Sequence, residues 1–154
     1  MPCRRVKWLA TALALFSPAP LPAQTRELGL GAIVTLSDPA LAVGSVYGAL
    51  RTSSRTRISV SVGAGLSRDV LAWRGELLGH FLFSPEERRK PGFYLAGGIA
   101  GVDGPVERGY LVLTLGVEAR PRSGSGWAVE AGVGGGFRLG AAYRWRWFPG
   151  LFTQ

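Results

Sequence analysis

Apolar residues alternate with small or polar residues along most of this chain, and no segment of helix length interrupts the pattern. In residues 71–81 every charged or ionisable side chain falls at an even position, namely Arg74, Glu76 and His80. The odd positions of the same segment carry glycine or large apolar side chains, namely Leu71, Trp73, Leu77 and Phe81. Successive side chains of a β-strand point to opposite faces, so one face of this strand is apolar and the other charged.

The alternation recurs in eight segments separated by turn residues. The predicted strands cover residues 27–36, 40–50, 57–66, 71–81, 93–101, 110–120, 127–134 and 137–147. Turn chemistry separates them, for example Ser37-Asp38-Pro39 and the charged segment 84–92, which is bounded by prolines. The spacing predicts an all-β fold, a closed antiparallel up-and-down barrel of about eight strands. The count of eight strands depends most on the glycine-rich segment 132–140, which we interpret as one hairpin.

The first 23 residues have the pattern of a cleavable signal peptide. Arg4, Arg5 and Lys7 form a basic start, and residues 8–16 form a short apolar stretch, followed by three prolines. Ala23 is a small residue suited to cleavage before Gln24. We therefore predict that residues 1–23 are removed during export and that residues 24–154 form one domain. Cys3 lies in the removed part, so the exported chain contains no cysteine for a disulfide, a thiolate metal site or a cysteine nucleophile.

The charge of the exported part is moderately basic. Three of the 18 basic residues belong to the predicted signal peptide and all 10 acidic residues follow it, which leaves 15 basic and 10 acidic residues. The arginines are distributed among strands and turns instead of forming one patch, so we expect no nucleic-acid partner. We also expect no cofactor.

Glycine is abundant, with 23 residues that follow no collagen period. An eight-stranded barrel has an interior just wide enough for side chains, so bulky inward groups on every strand would not fit. We predict that one group of glycines faces this interior: Gly63, Gly65, Gly116, Gly132, Gly134 and Gly140.

Aromatic residues cluster near the predicted strand ends, on either side of a band of Leu, Val, Ile and Ala. Such aromatic girdles flank the apolar band of a transmembrane barrel, whereas a water-exposed face would carry polar residues at those positions. The pattern predicts that the apolar face contacts lipid. The predicted girdle residues are Trp73, Phe81, Phe83, Phe93, Tyr94, Tyr110, Trp127, Phe137, Trp145, Trp147 and Phe148.

In architecture, residues 26–148 resemble the small eight-stranded outer-membrane β-barrel proteins of Gram-negative-type bacteria. Members of that family often end in an alternating strand closed by an aromatic residue that is read during insertion, and residues 143–148 are similar. This chain departs from the pattern because it continues through residues 149–154. The resemblance implies a monomer in the bacterial outer membrane, with outer-membrane lipid and the barrel-insertion machinery as partners.

The inward face carries charged side chains that we expect to pair with one another, because buried charges require compensation. The predicted lumen network comprises Arg74, Glu76, His80, Glu118, Arg120, Glu130, Arg138, Arg144 and Arg146. His80 is the only histidine and lacks the further ligands that a metal site needs, so we predict no metal site. No catalytic residue is predicted. A catalytic reading would make His80 the general base for Ser84, oriented by Glu76 or Glu118.

Three functions remain compatible with the sequence. The first is a non-enzymatic outer-membrane barrel with a structural or envelope role and a lumen filled by side chains. The second is an exported soluble barrel that binds a small apolar ligand, in which Leu111, Leu113, Leu115 and Val117 would line a cavity while Glu118 and Arg120 face water. The third is a lipid A-modifying hydrolase centred on His80.

Overall fold

The structure is a computed structural model that describes residues 25–105 and 107–148. The predicted signal peptide, its cleavage site and residues 149–154 lie outside the described residues, so the division at Gln24 stays a prediction. The described ranges contain no helix long and apolar enough to cross a membrane.

Eight antiparallel strands form a closed barrel in the described part of the chain. They are β1 (Arg26–Leu36), β2 (Leu41–Arg51), β3 (Thr56–Ser67), β4 (Val70–Leu82), β5 (Gly92–Asp103), β6 (Arg108–Glu118), β7 (Ser125–Val133) and β8 (Phe137–Trp147). Each strand pairs with its neighbour in sequence, and β1 pairs with β8 from Arg26↔Trp147 to Leu36↔Phe137. The predicted closed up-and-down barrel is confirmed. The ladder between β6 and β7 runs only from Leu113↔Val133 to Glu118↔Ala128, so it covers the proximal half of β6.

The barrel has two ends, which we call proximal and distal. The proximal end is where β1 begins and β8 ends, and it carries the segments 52–55, 83–91 and 119–124. The distal end is where β1 ends and β8 begins, and it carries the segments 37–40, 68–69 and 134–136 together with residues 104–105 and 107. The longest connection, 83–91, is therefore at the proximal end.

The predicted strand boundaries shift where local backbone geometry intervenes. β6 ends at Glu118, two residues earlier than predicted, because Arg120 has a positive φ of 44° and Pro121 follows it. Arg51, predicted to lie in a turn, is the last residue of β2 and points inward. The glycine-rich segment resolves into a tight β7–β8 turn, in which Gly135 and Gly136 have φ values of 83° and 147° that side chains rarely adopt.

Apolar side chains cover the outer wall and charged or small ones fill the interior, as the alternation predicts. Leu111, Leu113 and Leu115 on β6 are 81%, 54% and 56% exposed, whereas the intervening Val112 and Thr114 are buried. Three small apolar groups share the interior with the charges, and Leu82 and Tyr94 belong to the one nearest the proximal end. The interior is a packed core.

One of the predicted inward glycines makes room for a large ring. Gly116 is paired with Tyr94 across β5 and β6, and a Cβ on Gly116 would lie 2.1 Å from Cζ of that ring. Gly140 similarly faces Glu130, whose Cγ would be 2.9 Å from an added Cβ. Glycine at these positions lets bulky neighbours cross the lumen, which a narrow eight-stranded barrel otherwise prevents.

Candidate functional site

The lumen contains two clusters of charged side chains. The proximal cluster comprises Glu27, Arg51, Arg57, Glu118, Arg144 and Arg146. The central cluster comprises Arg74, Glu76, Glu130 and Arg138. All are buried except Glu130, which is half-buried, and all come from strands whose inward positions the alternation defines.

Glu118 is the centre of the proximal cluster. Its Oε2 accepts hydrogen bonds from Arg57 Nη1 at 3.0 Å, Arg144 Nη1 at 3.1 Å and Arg146 Nη2 at 3.2 Å. Glu27 Oε1 accepts from Arg51 Nε at 3.1 Å, and Glu27 Oε2 accepts from Arg57 Nη1 at the same distance. Four guanidinium groups thus share two carboxylates in a part of the lumen that the solvent barely reaches.

The proximal cluster also fixes the turn between β6 and β7. Arg51 Nη2 donates to the carbonyl of Pro121 at 3.1 Å, and Arg146 Nη1 donates to the carbonyl of Ser123 at 3.4 Å. These lumen side chains therefore donate hydrogen bonds to backbone carbonyls of the turn, which lie beyond the last residue of β6.

The central cluster is balanced in charge. Arg74 Nε donates to Glu76 Oε1 at 2.7 Å, and Arg138 Nη2 lies 2.8 Å from Glu76 Oε2 and 2.7 Å from Glu130 Oε1. Arg74 also donates to the hydroxyl of Thr35 and to the carbonyl of Gly134, both at 3.3 Å. The cluster therefore ties β1, β4, β7 and β8 together across the lumen.

Tyr94 connects the two clusters, which corrects its predicted place in the aromatic girdle. Its hydroxyl donates to Glu130 Oε2 at 3.0 Å and accepts from Arg144 Nη2 at 3.1 Å. Its ring lies 5.2 Å from the guanidinium carbon of Arg57 and 5.3 Å from that of Arg144. Tyr94 shares the inward face with Ala96, while Phe93 occupies the outer face, so Tyr94 does not belong to the girdle.

Three further predictions are corrected by the facing of the strands. Arg120 is exposed in the β6–β7 turn instead of the lumen, because β6 has already ended. Tyr110 shares the inward face of β6 with Val112 and is half-buried at the distal end. Phe148 is half-buried, with the guanidinium of Arg51 5.9 Å from its ring centre. The other predicted girdle residues are exposed on the outer wall: Trp73, Phe81, Phe83, Phe93, Trp127, Phe137, Trp145 and Trp147.

The sequence prediction missed three lumen charges, namely Glu27, Arg51 and Arg57. Glu27 and Arg57 begin the small-residue faces of β1 and β3, so strict alternation alone would have placed them inside. Arg51 had no such signal, because a charged residue before Thr52-Ser53-Ser54 has the composition of a turn. Its inward position follows only from its pairing with Arg57 on β3.

His80 does not form the predicted alternative catalytic group. Its Nδ1 lies 3.2 Å from Arg57 Nη2, and its Nε2 lies 2.7 Å from the hydroxyl of Ser59. A guanidinium can only donate, so Nδ1 accepts and Nε2 carries the proton that it donates to Ser59. His80 therefore cannot accept a proton from that hydroxyl, and Ser84 lies exposed at the proximal end.

A cavity of about 40 Å³ lies between the clusters, lined in part by Tyr47, His80, Arg138 and Arg144. It has room for roughly three water molecules, at about 10–15 Å³ each. Arg144 lines this cavity, and its Nε is buried without a hydrogen-bond partner, which suits internal water. Among residues 25–105 and 107–148, no three His, Cys, Asp or Glu side chains are grouped to hold a metal ion.

Comparison with solved structures places this architecture among known barrels. The N-terminal β-barrel domain of Pseudomonas aeruginosa OprF matches with a TM-score of 0.63 and 12% identity, over 80% of this chain and 97% of that domain. Ail, the attachment invasion locus protein of Yersinia pestis, matches with a TM-score of 0.44 and 10% identity, over 82% of this chain and 100% of that one. No protein-family model matches the sequence, and neither does any curated protein. The predicted resemblance to small eight-stranded outer-membrane β-barrels is confirmed at the level of the fold.

Proposed function

We propose that this protein is a small integral outer-membrane β-barrel with a structural or envelope role, acting as a monomer without catalysis. The proposal depends on one observation: the outer face of the barrel is apolar and the inner face is charged, the reverse of a soluble barrel. Apolar side chains such as Leu111 cover the outside, while arginines such as Arg57 are completely buried inside. A soluble barrel has the opposite arrangement, because exposed apolar surface in water is unfavourable.

The dimensions of the outer wall also suit a bilayer. Most strands contain 11 to 13 residues. A strand of 11 residues that rises about 3.3 Å per residue and tilts by about 40° covers roughly 28 Å, close to the apolar band of about 25 Å in such barrels. Exposed aromatic side chains stand at both ends of the band, for example Trp73 distally and Trp147 proximally.

The facing of β6 contradicts the soluble carrier hypothesis. That hypothesis requires Leu111, Leu113 and Leu115 to line a cavity and Glu118 to face water. The leucines instead lie on the outer wall, and Glu118 is buried among arginines. The hydrolase hypothesis loses its support as well, because His80 and Ser84 are not brought together.

The proposal is tested by the mobility and location of the protein. We expect it in the membrane pellet after carbonate extraction of cell envelopes, and we expect unboiled protein to migrate differently from boiled protein on a gel. Closed β-ladders resist detergent until heated, which is the reason for the shift. A soluble periplasmic protein would provide the control, and release of the barrel into the same supernatant would refute membrane integration.

The filled lumen predicts that the barrel does not conduct ions. The two charged clusters and the apolar group that contains Leu78, Ala100 and Val112 occupy the interior along its length. We expect planar bilayers containing the purified protein to show no stable conductance steps above those of a protein-free bilayer. Reproducible steps that disappear with heat-denatured protein would contradict this prediction.

A further inference from the structure

The two ends of the barrel differ strongly in charge. Outside the lumen, the proximal end carries seven basic residues, all exposed, which we call the basic rim: Arg26, Arg55, Arg88, Arg89, Lys90, Arg120 and Arg122. Only two carboxylates accompany them among the described residues of that end, Glu86 and Glu87. The distal end has the opposite balance, with two basic residues, Arg68 and Arg108, against four acidic ones, Asp38, Asp69, Asp103 and Glu107.

Both proximal carboxylates are engaged by neighbouring segments of the protein. Glu86 forms an ion pair with Arg122, and the backbone N–H of Arg122 donates to the carbonyl of Glu87 at 3.2 Å. Glu87 Oε1 accepts from the backbone N–H groups of Arg89 at 3.1 Å and Lys90 at 3.2 Å. These hydrogen bonds lower the pKa of Glu87, so it stays charged at neutral pH and shapes the loop.

The remaining basic side chains of the rim form no ion pair with a carboxylate of the described ranges. Arg88, Arg89 and Lys90 stand together on the β4–β5 loop, and Arg120 stands on the adjacent β6–β7 turn. The link between Arg122 and the loop holds these two segments side by side. The result is a fixed surface of positive charge that the protein itself does not neutralise.

The basic rim begins where the aromatic girdle ends. Phe83 and Phe93 flank the β4–β5 loop, are about half exposed, and are joined by a backbone hydrogen bond of 3.0 Å. Arg26 is paired with Trp147 at the same level. Aromatic side chains of such girdles lie at the depth of lipid headgroups, and the loop that carries Arg88, Arg89 and Lys90 begins and ends at two of them, so these basic side chains lie at or just beyond the depth of the phosphates.

We propose that the basic rim binds the headgroups of anionic phospholipids in the leaflet that it faces. The inference rests on the proposed function, since it requires the apolar wall to be in a bilayer. Charge complementarity selects the partner, because a zwitterionic headgroup would not neutralise the excess. As part of the same proposal, the proximal end lies on the periplasmic side, so this leaflet is the inner one.

Quenching of tryptophan fluorescence by brominated lipids tests the proposal. Trp127, Trp145 and Trp147 lie at the proximal end, and Trp73 lies at the distal end. In a Trp73→Phe variant, the tryptophan fluorescence of the barrel therefore comes from the end that carries the basic rim. Protein purified from membranes is placed in phosphatidylcholine vesicles that contain brominated phosphatidylglycerol or brominated phosphatidylcholine. We expect phosphatidylglycerol to be preferred by roughly fivefold at low salt, since one basic side chain near an anionic surface contributes about that factor.

Salt and matched variants identify the cause of the preference. The preference for phosphatidylglycerol should fall towards onefold in 0.5 M NaCl. It should decrease in Arg88→Gln/Arg89→Gln/Lys90→Gln, which leaves the other basic residues of the rim in place, while the distal control Arg68→Gln/Arg108→Gln should keep the wild-type ratio. A ratio of one for folded wild-type protein, a preference that survives salt, or equal losses in both variants would overturn the proposal. Failure to insert into any vesicle, seen as no heat-dependent gel shift, would instead refute the proposed function.

Discussion

Replacing Glu118 with glutamine is expected to destabilise the folded barrel by about 3–5 kcal/mol, the usual cost of removing one partner from a buried ionic group. The substitution keeps the size of the side chain but removes the charge on which Arg57, Arg144 and Arg146 converge. Glu27 would then be the remaining carboxylate of the proximal cluster for four arginines. The free energy of unfolding, measured by urea titration of vesicle-inserted protein with tryptophan fluorescence, reports the loss.

Two companion variants separate the lost ion pairs from a general effect of substitution. Glu107→Gln alters an exposed carboxylate at the distal end and should change the free energy of unfolding by less than about 0.5 kcal/mol. Arg146→Met combined with Glu118→Gln should cost less than the sum of the two single changes, because the second change removes a guanidinium that the first left without compensation. An unchanged unfolding curve for Glu118→Gln would show that the charge of Glu118 does not contribute to stability.

The period of two in the sequence was enough to predict the architecture. It placed Arg74, Glu76 and Glu118 inside and Leu113 outside, because a strand with one apolar face has only one acceptable register in the barrel. Slippage by a single residue would turn every one of these charges towards the outer wall. An even number of strands is compatible with antiparallel pairing of β1 and β8, since it returns the chain to the end where it began.

The pairing of the charges could not be predicted in the same way. Arg57 and Glu118 are 61 positions apart, and their contact depends on which strands face each other across the closed lumen. Tyr94 was misplaced because an aromatic residue at a strand end suits a girdle, and only the opposing Gly116 makes space for it inside. Arg51 and Arg120 were exchanged between lumen and turn, because strand ends depend on local backbone angles that alternation does not encode.

Leu113→Arg is the substitution that most directly tests whether the outer wall contacts lipid. Leu113 lies at the middle of β6, is 54% exposed, and is paired with Gly97 and Val133. An arginine at the midplane of a bilayer costs about 2–4 kcal/mol in barrels of this type. We therefore expect a loss of that size in the free energy of unfolding, measured by urea titration in phosphatidylcholine vesicles.

The matched control for this prediction is Leu71→Arg. Leu71 lies at the start of β4 at the distal end, on the outer wall like Leu113, and is similarly exposed, at 58%, but it lies near the headgroups, where arginine costs about 0–1 kcal/mol. The difference between the two variants depends on depth alone, because both replace an exposed apolar side chain with the same charged one. In water neither arginine would be penalised, so equal and small effects at both positions would mean that no bilayer surrounds the barrel.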